Sequence, residues 1–183
     1  MDDTKEQNLL QGAQRGDKKA IADLYDTHYR AVYNYIYYRV SDLQVAEDLS
    51  AEVFIRMINK LPAYINRGRP FLAWLYTIAR NIVIDHHRVM GKKEEVPINE
   101  DLLEDKILTP DQQVQDRQTS DCFKVALKTL PETQRQLLIY RFINGFSTPK
   151  IIQLLNKSDR AVRSLQHRAL RSLEKVLVEE NCL

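Results

Sequence analysis

Apolar residues recur at helical spacing along most of the chain, and one dense stretch runs from Phe71 to Arg88. It holds the only tryptophan, and neither Gly nor Pro interrupts it. Laid on a helix at roughly 100° per residue, Phe71, Trp74, Leu75, Ile78, Ala79 and Ile82 share one broad face. Ala73, Thr77, Arg80, Ile84 and His87 fall opposite. So much apolar surface must be covered by other segments, while the polar end from Arg80 to Arg88 is left for a partner.

The segments before it supply that cover. Residues 5–19 read as a short helix ending near Gly16-Asp17. A second helical pattern, from Lys18 to Val40, runs through Ile21, Leu24, Tyr25, Tyr29, Val32, Tyr33, Ile36 and Val40. Its tyrosines fit a core stripe with wet hydroxyls better than an aromatic binding platform. Asp42 is placed to cap a third helix running to about Lys60, before Pro62. Val45, Leu49, Val53 and Met57 form its stripe, flanked by Ala46, Phe54 and Ile58. Its other face carries Asp48, Ala51, Glu52, Ile55 and Asn59, acidic with one isoleucine set in it. Pro62 to Pro70 is a loop containing Arg67, Gly68 and Arg69.

After Gly91 the periodicity lapses, and residues 92–109 read as a linker. Thr109-Pro110-Asp111 then opens a helix to about Lys128. Thr129-Leu130-Pro131-Glu132 places Thr and Glu at capping-box spacing for a helix that runs to Asn144 and stops at Gly145. Ser147-Thr148-Pro149 opens a short helix through Leu155. Asn156-Lys157 turns, and Ser158 caps a last helix to about Glu180. The expected architecture is all-α, with two small helical domains, 1–91 and 110–183, joined by the linker.

Charge sharpens this division. The net charge of the 183 residues is only +2. Residues 1–91 carry 12 Lys/Arg against 11 Asp/Glu, residues 92–121 carry 4 against 9, and residues 122–183 carry 11 against 5. An acidic connector followed by a basic block points to nucleic acid as a partner of the C-terminal part. No apolar run approaches the roughly 20 residues that span a bilayer, so no membrane insertion is expected. The polar, acidic N-terminus does not read as a signal peptide. Cys122 and Cys182 match no metal or redox spacing, and two such cysteines fit a reduced cytoplasmic protein.

A short helix, a tight turn and a longer basic helix make the pattern of a helix-turn-helix. In the last helix Val162, Leu165, Ala169, Leu173 and Val176 form one stripe, with Arg160, Ser164, His167 and Arg171 opposite and Arg163 on the shoulder. Such a helix is anchored on one side and presents cations and hydrogen-bonding groups on the other. That arrangement suits major-groove reading by Arg, with flanking cations on phosphates. No enzyme emerges: His28, His86, His87 and His167 lack metal-ligand spacing, and neither a phosphate-cradling glycine loop nor a nucleophile motif is present. No cofactor is expected.

Two sets of motifs carry a resemblance. Ala46-Glu47-Asp48-Leu49-Ser50-Ala51-Glu52-Val53-Phe54 and Phe71-Leu72-Ala73-Trp74-Leu75-Tyr76-Thr77-Ile78-Ala79-Arg80-Asn81 resemble region 2 of bacterial sigma factors. Leu130-Pro131-Glu132-Thr133-Gln134-Arg135, Asn144-Gly145-Phe146-Ser147 and Val162-Arg163-Ser164-Leu165-Gln166-His167-Arg168-Ala169 resemble region 4. Two domains with no third between them resemble the small extracytoplasmic-function group. The resemblance implies a promoter-specificity subunit that binds core RNA polymerase and helps open the duplex. It implies docking of Asp48, Glu52 and Ile55 on the polymerase clamp coiled-coil, a further contact with the flap region, and an anti-sigma factor as partner. Tyr64 and Asn81 match positions that hold a base flipped out of the −10 element, with Arg67, Arg69, Arg80 and Arg88 beside the strand. Arg160, Arg163, Ser164, His167, Arg168 and Arg171 would meet the −35 element, and the acidic linker would thread polymerase channels.

Several residues depart from the family pattern. Ala51 stands where glutamine is usual, and the loop before Phe71 is one residue longer than the common form. Leu165-Gln166 stands where a basic residue and an aliphatic are usual, and Asp159-Arg160 where small or neutral residues are common. Read without the resemblance, the residues leave an alternative open. It is a stand-alone helix-turn-helix regulator whose N-terminal part binds a ligand or dimerises.

Overall fold

The computed structural model describes residues 3–91, 122–180 and 182. The predicted linker, 92–109, and the helix start at Thr109-Pro110 lie outside the described residues. Every regular element among the described residues is helical. None of these helices is long and apolar enough to cross a membrane. The chain divides into two compact units, and each is taken by itself.

The N-terminal unit consists of α1 (Asp3–Gln14), α2 (Lys18–Val40), α3 (Leu43–Lys60) and α4 (Phe71–Met90), with a 3-10 turn at Leu61–Ala63. Local chemistry sets the boundaries. Gly16 turns the chain at φ +85°, and the Asp17 carboxylate then accepts from the amides of Lys19 and Ala20 to cap α2. Asp42 caps α3 as predicted, its Oδ1 accepting from the Val45 N–H at 2.8 Å. Pro70 precedes α4 without a side-chain cap.

Packing departs from the sequence stripes in three places. α4 packs on both α2 and α3, so burial extends to Leu72, Ala73, Tyr76 and Val83. Ala73 was predicted on the opposite face and is buried instead. In α3 the buried line is Ala46, Ser50, Val53, Phe54 and Met57, whereas Ile58 is 45% exposed. Ser50 fits that line because its hydroxyl donates to the Ala46 carbonyl at 2.6 Å and needs no water. α2 buries Tyr35 on one side and leaves Tyr25, Tyr29, Tyr33 and Tyr37 as a ladder at four-residue spacing, partly open to solvent. The Tyr33 and Tyr37 rings stack at 5.9 Å, and burial first, then Tyr37 and Glu47, pushes the Tyr33 phenol up to about 12. Two polar side chains lie buried in the same helix. His28 faces Glu6 at 3.4 Å, and Arg39 lays its guanidinium over the Tyr35 ring, 3.4 Å from its centroid.

Among the described residues, the C-terminal unit starts with helical residues 122–129. It continues through α5 (Glu132–Leu138), a π-helical extension at Ile139–Ile143, α6 (Thr148–Leu155) and α7 (Asp159–Glu179). The predicted capping box is not formed. Thr129 Oγ1 donates back to the Ala126 carbonyl at 2.9 Å, and Pro131 takes the N-cap position of α5. Arg135 secures this corner instead, donating from Nη2 to the Lys128 carbonyl at 2.6 Å and the Leu130 carbonyl at 3.2 Å. Beyond the π-helix and Asn144, Gly145 turns the chain at φ +65°, and the Phe146 amide donates to the Tyr140 carbonyl. Asn156, at φ +52°, makes the turn between α6 and α7, and the Ser158 hydroxyl caps α7 as expected. Of the predicted α7 stripe, Val162, Leu165 and Ala169 are buried, and Leu173 and Val176 are half-buried.

The reading of two unpaired reduced thiols is corrected: Cys122 and Cys182 form a disulfide, with Cα atoms 6.0 Å apart. Their separation of 60 residues hid this, because only the folded path of α7 returns the chain end to residues 122–129. Closing a loop of that length removes chain entropy equivalent to about 4 kcal/mol from the unfolded state. Cys122→Ser with Cys182→Ser is therefore expected to lower the C-terminal unit's stability by up to about 4 kcal/mol. Thermal unfolding with and without a reductant checks this. The wild-type protein should respond to the reductant and the double variant should not.

Candidate nucleic-acid and partner surfaces

Up to Val83 the broad burial of α4 leaves a narrow strip uncovered, and from Ile84 to Val89 the helix is open on most sides. Trp74, Thr77, Asn81 and Arg88 fall on it, spaced so that one face of the helix carries all four. At 1.5 Å per residue the strip extends about 21 Å from Trp74 to Arg88. Arg80, also exposed, stands on its shoulder. Arg88 lies 3.9 Å from Asp85, an exposed pair that screens its charge only weakly.

At the Trp74 end the strip meets a cavity of about 590 Å³. Trp74, Thr77, Tyr64, Arg67, Arg69 and Asn59 are among its lining residues. Tyr64 forms an aromatic wall, its ring 4.6 Å from Trp74 and 5.3 Å from Phe71. Burial, with Glu6 as a lesser cause, raises the Tyr64 phenol above its usual value. The backbone around Tyr64 is held from α1: Gln14 Nε2 donates to the Tyr64 carbonyl at 2.7 Å and to the Leu61 carbonyl at 3.2 Å. Gly68 takes φ +74°, and its amide donates to Asn66 Oδ1 at 2.9 Å, turning the loop that carries the two arginines.

Of the residues predicted for the −10 element, the structure brings Tyr64, Arg67 and Arg69 together at this cavity. Asn81 stands one turn beyond Thr77, about 6 Å along the axis. Arg80 and Arg88 are not lining residues, and Arg88 lies further out along α4. Trp74 was assigned to the scaffold by sequence. It lies at the rim of the core instead and lines the cavity. A tryptophan four residues after a loop that carries Pro62, Tyr64 and Pro70 was the available signal.

The predicted docking residues occupy the open side of α3. Asp48 is exposed, Ile55 is 58% exposed, and Glu52 is half-buried and ion-paired with Arg56. Ile58, predicted as core, joins Ile55 there, so the acidic face holds an apolar pair. In the C-terminal unit Arg160, Arg163, Ser164, His167, Arg168 and Arg171 are all exposed on α7. Arg160, Ser164 and Arg168 line a groove of about 450 Å³ together with Lys157 and Thr133, two residues that the sequence reading left unassigned. Arg163, His167 and Arg171 lie outside it. Arg163 donates from Nε to Asp159 at 2.8 Å, and that carboxylate raises the guanidinium pKa further.

An all-helical protein with an aromatic cavity on one unit and a basic helix-turn-helix on the other is the architecture of a two-region sigma protein, and comparison with known proteins agrees. Residues 24–92 match sigma-70 region 2, and residues 120–173 match sigma-70 region 4. The chain is 33% identical over 180 residues to the ECF RNA polymerase sigma factor BldN of Streptomyces coelicolor, covering 98% of this chain and 68% of that protein. It is 34% identical over 169 residues to SigD of Mycobacterium tuberculosis H37Rv, covering 89% and 79%. The fold resembles that of the sigma factor RpoE of Bartonella quintana, solved in complex with the anti-sigma factor NepR. The TM-score is 0.62 at 22% identity, over 87% of this chain and 97% of that one. The chain belongs to the extracytoplasmic-function group of RNA polymerase sigma factors. Both units match, which displaces the stand-alone regulator.

The Gln14 clamp has a measurable consequence. Gln14→Ala removes two partly buried hydrogen bonds and is expected to destabilise the N-terminal unit by about 1–3 kcal/mol. Hydrogen exchange should speed up at residues 61–70. Unchanged exchange there would show that the loop is held by other contacts.

Proposed function

We propose that the chain, as the sigma subunit, holds an unpaired base of the −10 non-template strand in the cavity between Tyr64 and Trp74. The observation that carries this is the open aromatic cavity with Arg67 and Arg69 on its wall and Asn81 one turn along the same helix face. A base extracted from a duplex loses a few kcal/mol of stacking, and aromatic faces restore part of it. The two arginines neutralise flanking phosphates, and Arg80 and Arg88 continue that path along α4. The side-chain amide of Asn81 offers a donor and an acceptor to a base edge.

The remaining surfaces take the other roles. Asp48, Glu52 and Ile55, joined by Ile58, dock on the clamp coiled-coil of core polymerase, and the C-terminal unit reaches the flap region. α7 enters the major groove at the −35 element. Asp159 engages Arg163 through Nε, which leaves the two terminal nitrogens as a fork for guanine O6 and N7. Arg160, Arg168 and Lys157 meet phosphates around the groove, with Ser164, His167 and Arg171 completing the face. The acidic segment 92–109 threads polymerase channels between the two contacts. The subunit works in the cytoplasm, contributes no catalytic group or cofactor, and is bound by an anti-sigma factor, as RpoE, a protein of this fold, is in its complex with NepR.

Transcription by core polymerase plus this chain, on templates varied at every −10 and −35 position, tests the proposal. Asn81→Ala is expected to change preference at one −10 position by about 5- to 100-fold while core binding is retained. Uniform loss across all −10 variants would contradict the base-reading role.

A further inference from the structure

The Cys122–Cys182 bond joins the only two cysteines of the chain, so no third thiol competes for either partner. Local structure prepares the pairing. α7 ends at Glu179, and the Cys182 amide donates to the Leu177 carbonyl at 2.8 Å, folding the chain end back against the last turn. The Cα of Cys182 then lies 6.0 Å from that of Cys122, in helical residues 122–129. Both cysteines are half-buried, not sealed in the core, so small oxidants and reductants reach the sulfurs.

The bond holds a stretch that little else holds. Ala169 is the last buried residue of α7. Over residues 170–179 only Ser172, Leu173, Val176 and Leu177 are half-buried, while Leu170 and Val178 are exposed. The Lys175–Glu179 ion pair, 3.6 Å long and exposed, adds little. A helix end with so few buried contacts opens at low free energy once it is released. Arg171 stands on this stretch, just beyond the last anchor, and is exposed with Arg160, Ser164 and His167.

We propose that the Cys122–Cys182 pair is a redox clasp on the DNA-reading helix. Closed, it holds the C-terminal half of α7 and keeps Arg171 in place. Opened by thiol reductants, it lets that half fray and weakens binding to the −35 element. The proposal rests on the −35 role given to α7 and on the cytoplasmic setting proposed above. In that compartment dithiols keep most cysteine pairs open, so a pair in bonding geometry reports the arrival of an oxidant.

The chemistry balances with a hydroperoxide as oxidant and a dithiol as reductant. With hydrogen peroxide, one thiolate attacks a peroxide oxygen, the O–O bond breaks, and a sulfenic acid forms with release of water. The second thiolate attacks that sulfur, the S–O bond breaks, and the oxygen leaves as a second water. The two cysteines lose two electrons in all, and their two protons go to the waters. In the reverse direction a dithiol attacks one sulfur, passes through a mixed disulfide and leaves as its own disulfide, restoring both thiols.

The test treats the full chain with hydrogen peroxide or with dithiothreitol, removes the reagent, and assembles each form with core polymerase. Binding is measured on a template chosen from the −10 and −35 variants above, and on the same template with its −35 element scrambled. The oxidised holoenzyme is expected to bind the intact template about three- to tenfold more tightly than the reduced one, with no difference on the scrambled template. Cys122→Ser with Cys182→Ser is expected to match the reduced protein under either treatment. On reduction of the free chain, amide exchange is expected to quicken at residues 170–180 while residues 162–169 stay protected. Equal binding of the intact template in both thiol states overturns the clasp. So does an equal redox difference on the scrambled template, a redox response of the double variant, or protection lost through residues 162–169, which would report unfolding of the whole unit. If neither thiol state prefers the intact template to the scrambled one, the −35 role of α7 falls as well.

Discussion

The N-terminal unit depends on the enclosure of α4. Leu75, Ala79 and Ile82 are buried between α2 and α3, and Phe71, Leu72, Tyr76, Ile78 and Val83 extend that burial around most of the helix. Each large side chain removed from water in this way contributes about 1.5–3 kcal/mol before entropy is counted. Up to Val83, most of the helix surface is therefore committed to stability. What remains there is the strip that begins at Trp74, and its position relative to the loop at 61–70 is rigid because the core fixes it. A site that must discriminate one base from another needs such a rigid wall.

The C-terminal unit solves the same problem with less core. α7 is anchored through Val162, Leu165 and Ala169 and leaves its cations in solvent. Asp159 shows how a single acid in a basic surface acts. It engages one edge of Arg163 and thereby orients the guanidinium. The Cys122–Cys182 bond secures the far end of the unit, where the α7 stripe is only half-buried.

Much of this was legible in the sequence. Asp42 and Ser158 announced their helices because an acceptor two or three residues before the first free amides has one strong local use. Gly145 marked a stop because a left-handed residue is cheapest as glycine. The exposed cations of α7 followed from period alone. What escaped depends on tertiary neighbours. Ile58 was expected beside the stripe and is exposed, while Ser50, which the stripe left out, is buried, because two helices, not one, cover α3. Thr129 had two possible hydrogen-bond partners at similar distance along the chain, and the carbonyl behind it won over the amide ahead. The disulfide and the cavity at Tyr64 arise from residues far apart in sequence, which no spacing rule reports. Trp74 was misplaced for a related reason: a helix stripe says which residues are apolar, but not where the neighbouring loop stops covering them.

The central claim is that the wall formed by Tyr64 and Trp74 stacks an unpaired promoter base. The fluorescence of 2-aminopurine, placed at single non-template −10 positions and read as holoenzyme opens the promoter, tests this most directly. The account predicts strong quenching at the position stacked on this wall, abolished by Trp74→Ala while binding to the −35 element persists. Equal quenching by wild-type and Trp74→Ala holoenzymes would contradict it.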